Sequence, residues 1–322
     1  MEVILLECYD FYMSKSEGLT HIPPEGDSGR NEKRRSLDEI RNGFKQRFLI
    51  IDDGYDYGSE IVPDTLPTFF HGTSAWFEED IKHKGLTNTV DDIQDVEDVF
   101  RVHPDMLRIY KWAIARGEGI RSRMKPHENS WRKKVYCTYS HENAVRYTKG
   151  PEILTDYLEV MEGWSGSFSP EPYDLFLKRV VSELGDIDSH EKRLLMSCID
   201  PKGLVVYAKP TKEEFDAEET LKYGGTLPEI TFLTSTKGRR ELFDKIKWAR
   251  ERYIKHEKGD LVRINESSKM WDYIQTAADN LEVEEFELIP MADLVQIYLR
   301  HNLKEYLFKQ IDPGSITKLE RV

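Results

Sequence analysis

His71-Gly72-Thr73 sets an imidazole beside a glycine at the end of the run Thr68-Phe69-Phe70. Near neutral pH an imidazole can accept or donate a hydrogen bond. The glycine, having no Cβ, lets a ligand or another backbone come close. The pair suits recognition of a polar ligand, and it equally suits a plain turn. Tyr136 and Tyr147 follow at a spacing of eleven residues, and two aromatic rings can sandwich a flat ligand. Glu285 and Glu287 add carboxylates able to stabilise a developing positive charge or take a proton. Between these groups, Arg116 to Lys134 holds seven basic residues against two acids, with Arg121, Arg123, Lys125 and Arg132 among them and Trp131 alongside. In a chain of net charge −13 this segment is either a phosphate-contacting loop or a solvated loop balancing acidic neighbours.

The elements that must position these groups follow from apolar periodicity and punctuation. Residues 1–14 suggest a strand and turn, and 15–35, rich in Gly, Pro, Ser and charge, a loop. Ser36 opens a helix to about Arg47, and Phe48 to Ile51 reads as a buried strand. The strand ending at His71 leads to a helix with Ser74 as N-cap, Phe77 and Ile81 as its apolar stripe, and Gly85 as its stop. Helices are expected at 106–115, 239–256 and 270–281 and over much of 151–200, with strands at 135–139, 203–208, 229–233 and 284–290. Ser140 caps a short helix that Gly150 closes, 293–299 starts a final strand or helix, and the tail reads as polar.

Composition excludes several classes. The chain of 322 residues can bury a full core, and 39% apolar with 33% charged residues argues for a soluble globular protein. No apolar run reaches the roughly 18 residues of a membrane span, and the N-terminus lacks the basic start of a signal peptide. Three cysteines without metal spacing point to a reduced, cytoplasmic setting and no metal. Phosphate-loop, dinucleotide-fingerprint, zinc-protease and nucleophile-elbow patterns are all missing.

In order and rough spacing, His71-Gly72-Thr73 with Gly85-Leu86, then Tyr136 with Tyr147, then the late glutamates, the chain resembles the ADP-ribosyltransferase superfamily in its His-Tyr-Glu branch. The resemblance spans about residues 66–300. It implies an α+β fold of split antiparallel sheets flanked by helices: a catalytic domain over 63–322 with an insertion at about 88–134, and residues 1–62 as an extension packed on it.

It also implies roles. NAD is the substrate, with His71 on a ribose hydroxyl, Gly72 and Thr73 lining the site, and Tyr136 and Tyr147 around the nicotinamide. A glutamate stabilises the oxocarbenium-like ribose, as in glycoside hydrolysis. Taken as a strand, 284–290 would put Glu285 and Glu287 on one face. The spacing to Tyr298-Leu299 favours Glu285 as the catalytic group, with Glu287 as helper or rival. The expected activity is transfer of ADP-ribose to a macromolecule, nucleic acid in preference to protein, by a toxin or defence effector restrained by an inhibitory partner. An NAD-dependent RNA 2′-phosphotransferase and an inactive binding module are the alternatives.

Overall fold

The computed structural model describes residues 35–322 apart from 88–92, 117–133, 149, 164–170, 186–188, 223, 226, 263–268 and 303–304. The expected first strand, nearly all of the 15–35 loop and most of the basic segment lie outside the described residues. Leu37–Val322 form one compact unit, so residues 37–62 belong with the rest of the fold.

Two small antiparallel sheets carry the α+β architecture. The first has the order β1 (Phe69–Ser74), β3 (Gly203–Ala208), β5 (Ile316–Arg321), and the second pairs β2 (Val135–Cys137) with β4 (Tyr306–Phe308). In register, His71 lies opposite Val206, Gly72 opposite Val205, Tyr136 opposite Leu307 and Cys137 opposite Tyr306. One bridge splices the sheets. Phe70 N–H donates to Thr138 C=O at 2.8 Å and Thr138 N–H returns to Phe70 C=O at 2.9 Å.

Aromatic packing locks that junction from beneath. The Phe69 ring stacks on Tyr139 at 4.3 Å and meets Tyr306 and Phe308 edge-on at 5.0 Å each. All four are buried. Each contact joins segments far apart in sequence, so these rings set how β1, β2 and β4 meet. Such pairs add roughly 0.5–1.5 kcal/mol each beyond the area they bury.

Helices cover the sheets. In α1 (Leu37–Arg47), Ile40 and Phe44 are buried, as their spacing of four requires. Ser74 caps the turn after β1 by accepting from Trp76 N–H, and α2 (Glu78–Lys84) stops at Gly85, whose φ is +79°. Gly85 is needed for a second reason: a Cβ there would lie 2.0 Å from Ile311 C=O. That close approach lets Leu86 and Ile311 exchange main-chain bonds of 2.8 and 2.9 Å just beyond β4. The chain continues through α3 (Ile93–Arg101), α4 (Pro104–Arg116), α5 (His141–Arg146), α6 (Glu152–Gly163), α7 (Tyr173–Glu183) and α8 (His190–Ile199). After β3 come α9 (Ala217–Lys222), α10 (Leu227–Thr234), α11 (Thr236–Glu257), α12 (Lys269–Ala278), α13 (Val283–Glu287) and α14 (Met291–Asn302).

Four expectations are corrected. Residues 48–51 are not a strand. Main-chain bonds from Phe48 to Phe44 and from Ile50 to Lys45 close α1, and Leu49 has a φ of +49°. Ile51 N–H then donates to the Gln296 side chain at 2.9 Å, and Ile51 C=O accepts from it at 3.0 Å. Glu229 to Leu233 is helical, and its Ile230, Phe232 and Leu233 are all buried. A short apolar run carries no period that separates a helix from a strand. Glu284 to Glu287 is helical too, opened by a reciprocal capping box between Glu282 and Glu285. The open choice at 293–299 between strand and helix falls to helix, within α14. The tail, read as polar, supplies β4 and β5.

The linker 48–62 has little regular structure, and basic side chains bind its carbonyls. Arg300 donates to Phe48 C=O at 3.0 Å and to Leu49 C=O, and Lys209 to Asp53 C=O. Arg239, fully buried, reaches Ser59 C=O and the Tyr55 hydroxyl at 2.6 Å each, and Asp56 C=O, with its guanidinium 4.3 Å over the Phe232 ring.

Candidate active site at the split between the sheets

Beyond the Phe70–Thr138 bridge, β1 and β2 stop exchanging main-chain bonds among the described residues. Where the next rung would form, the His71 side chain takes over, with Nδ1 2.7 Å from Tyr136 C=O. A carbonyl can only accept, so Nδ1 carries the proton. Burial lowers the pKa of His71, and the bond to Tyr136 raises it only in part. The ring is therefore neutral at pH 7, and Nε2 offers a lone pair suited to accepting from a hydroxyl.

Gly72 is next to it. Strand N–H and C=O groups alternate between the two neighbouring strands. Because those of Phe70 face β2, those of Gly72 face the gap where β2 has parted. The Cα itself is pressed against α5, since a Cβ at this position would lie 1.9 Å from Ala144 C=O. The close approach permitted by this glycine is thus first to the protein's own helix. What remains for a ligand is the main-chain edge, one donor beside one acceptor. Thr73 follows, half-buried, opposite Leu204.

Tyr136 is half-buried on β2, while Tyr147 caps the end of α5, donates its N–H to Ala144 C=O and is 60% exposed. Ser140 starts α5 by accepting from Asn143 N–H at 3.2 Å, as its position predicted. The fold thus brings His71, Gly72, Thr73, Tyr136 and the α5 terminus to one locality.

The two glutamates are placed otherwise. Residues two apart on a helix point to different sides, so Glu285 and Glu287 do not form a same-face pair. Glu285 accepts from Glu282 N–H at 3.1 Å, capping its own helix, and Glu287 pairs with Lys258 at 2.5 Å. The buried Phe286 between them anchors α13 on α11, 5.4 Å from the Tyr253 ring and 5.5 Å from the Arg250 guanidinium. Arg121, Arg123, Lys125 and Arg132 lie outside the described residues. At the end of their segment, Lys134 pairs with Asp216 at 2.8 Å.

One acidic residue escaped the sequence reading. Glu305 immediately precedes β4, and one register step beyond Cys137 and Tyr306 sets it opposite Thr138, the residue bridged to Phe70. Facing residues of an antiparallel pair share a face, and alternation then puts Glu305 and Leu307 with Tyr136 and Thr138. Tyr306 and Phe308 take the core side. The available signal was Glu305 followed by Tyr306-Leu307-Phe308, a carboxylate before an apolar run. Lys309, Gln310 and Asp312 directly after it masked the strand.

The remaining chemistry is quiet. Burial raises the Cys137 thiol pKa, and that of Cys198 to about 11, so neither is a thiolate at neutral pH. Among the described residues no group of three His, Cys, Asp or Glu side chains could hold a metal ion, and no helix is long and apolar enough to cross a membrane. No family model, curated protein or solved structure matches this chain.

Proposed function

We propose that the protein is an NAD-dependent ADP-ribosyltransferase of the His-Tyr-Glu type, acting at the split between β1 and β2, with Glu305 as its catalytic carboxylate. The observation that carries this reading is the junction itself. His71 bonds to the Tyr136 main chain, and Glu305 stands one register step from the bridge that joins their strands.

In this reading Gly72 N–H and C=O pair with the nicotinamide carboxamide, a group with one acceptor and two donors. Tyr136 and Tyr147 stack on the ring. Nε2 of His71 accepts from a ribose hydroxyl. The bond between ribose C1′ and the nicotinamide nitrogen breaks, its electron pair leaves with neutral nicotinamide, and positive charge builds on the ribose. The Glu305 carboxylate stabilises that charge and holds the 2′-hydroxyl. The acceptor nucleophile attacks C1′ and its proton passes to the carboxylate or to water.

For the acceptor we favour nucleic acid. The support is the basic segment preceding β2, which lies between the two halves of the NAD site in sequence. Activity as a toxin or defence effector restrained by an inhibitory partner follows by analogy with the family. The test is incubation with labelled NAD and separate RNA, DNA and protein pools. Label is expected in a nucleic acid and lost in Glu305→Gln. Label confined to protein overturns the acceptor class, and unchanged NAD in every pool overturns the enzyme reading.

A further inference from the structure

β4 is only three residues long, and β2 occupies one of its edges. Its other edge is met, among the described residues, only by an isolated antiparallel bridge from Phe215 to Phe308, with Lys309 N–H donating to Glu214 C=O at 2.9 Å. There Leu307 N–H donates to Thr220 Oγ1 at 3.0 Å, and Leu307 C=O accepts from Asp216 N–H at 2.9 Å. The Thr220 hydroxyl in turn donates to Asp216 C=O at 2.7 Å, so both bonds to the strand come from one turn. Thr220 is completely buried. The Asp216 carboxylate closes the bracket, accepting from Glu219 N–H at 3.1 Å and pairing with Lys134, the residue just before β2. Burial pushes the Asp216 carboxyl up, yet its bonds to Lys134 and the Glu219 amide hold it below the usual carboxylate value. A single turn therefore grips β4 by its second edge and β2 by its start.

We infer that Thr220 is a positioning residue for Glu305, its hydroxyl linking Leu307 N–H to Asp216 C=O next to the Phe215 bridge and so fixing the register and depth of β4. The inference rests on the proposed role of Glu305. A hydroxyl is needed because it must accept from one main-chain group while donating to another, which neither valine nor alanine can do. Without it the buried Leu307 N–H loses its partner, and the second edge of β4 keeps only the main-chain bonds on either side of the Phe215 bridge. A shift of about 1 Å at a reacting carboxylate is enough to cost on the order of 100-fold in rate.

The experiment compares the full-length wild type with Thr220→Val and Thr220→Ser. Its readouts are steady-state NAD turnover, thermal melting and amide hydrogen exchange at Leu307. Thr220→Val is expected to exchange the Leu307 amide faster and to lower kcat about 10- to 100-fold, with KM for NAD within about twofold. Thr220→Ser, which keeps the hydroxyl, is expected to stay within about threefold of wild type. Unchanged kcat in Thr220→Val overturns the inference, even with faster exchange. Equal losses in both variants overturn it in favour of simple packing. If Thr220→Val does not fold, the serine variant decides: a full loss of kcat with a native melt is again the contrary result. A wild type inert toward NAD removes the proposed function first and this inference with it, a pattern distinct from an active wild type matched by Thr220→Val.

Discussion

Two short acidic segments near the C-terminal end of the sequence invite the same description and have opposite fates. Glu282 to Glu287 is a helical turn whose carboxylates are spent on its own N-terminus and on Lys258. In the other, Tyr306 to Phe308 pair with β2, and Glu305 stands immediately before them, one residue short of the paired register. Both place a glutamate ahead of apolar residues, so composition does not separate them. What separates them is the partner each finds. Phe286 alone needs burial in the first, and one helical turn against α11 achieves it. In the second, Tyr306, Leu307 and Phe308 are all fully buried, with β2 along one edge and the turn holding Asp216 and Thr220 along the other.

The widest break in this comparison comes from charge removal. Glu305→Gln is expected to reduce NAD turnover by about 10² to 10³, the scale for losing one preorganised electrostatic group. Glu285→Gln and Glu287→Gln should stay within about threefold. A reversed ranking returns catalysis to α13.

His71→Ala comes next, expected to cost about 100-fold, and its pH dependence sharpens the assignment. The folded-state pKa is lowered below 6.5, so the native protein disfavours the protonated ring. Stability from the neutral His71 is complete above the unfolded value and is lost as pH falls through the lowered folded value. Turnover should likewise hold steady down past pH 6.5 and drop below it, whereas a drop centred at or above 6.5 rules out the neutral Nε2 acceptor.

Smaller effects bear on the frame. Gly72→Ala meets the Ala144 carbonyl and should destabilise the fold by about 1–3 kcal/mol, read as a lower denaturation midpoint. Glu285→Gln weakens one capping contact, at most about 0.5 kcal/mol. Glu287→Gln, on an exposed ion pair, should leave the melt where it was.

The legibility of the chain followed the same division. Ser74, Gly85 and Ser140 were readable because their roles are local, set by a cap or a stop within a few residues, and β1 and β2 showed in their own residues, but the contact of His71 with Tyr136 and that of Gly72 with Ala144 did not. Gly85 ends α2 and Ser140 starts α5 as expected, whereas Ser74 caps the short 3-10 turn ahead of α2 and α5 ends at Arg146, before Gly150. The place of Glu305, the proposed carboxylate, was not readable, because the three-residue strand after it is defined by Tyr136, 171 positions before Leu307, and by a threonine 87 positions away. Pro290, which interrupts the expected late strand, was in plain view and stands at the start of α14, where its C=O accepts from Asp293 and Leu294 N–H. The segment 229–233 misled for a different reason: it is buried on nearly every side, so neither period shows.

The bridging of early and late strands also bears on synthesis. A growing chain presents His71 and Tyr136 long before Glu305 exists, and β1 finds β3 only after more than a hundred residues. The linker 48–62 must likewise wait for Arg239 and Arg300. Such non-local closure slows folding and exposes unpaired edges on the way. It also means that no nascent fragment ending before β4 contains the proposed active site, so any activity of that site waits until β4 has been made.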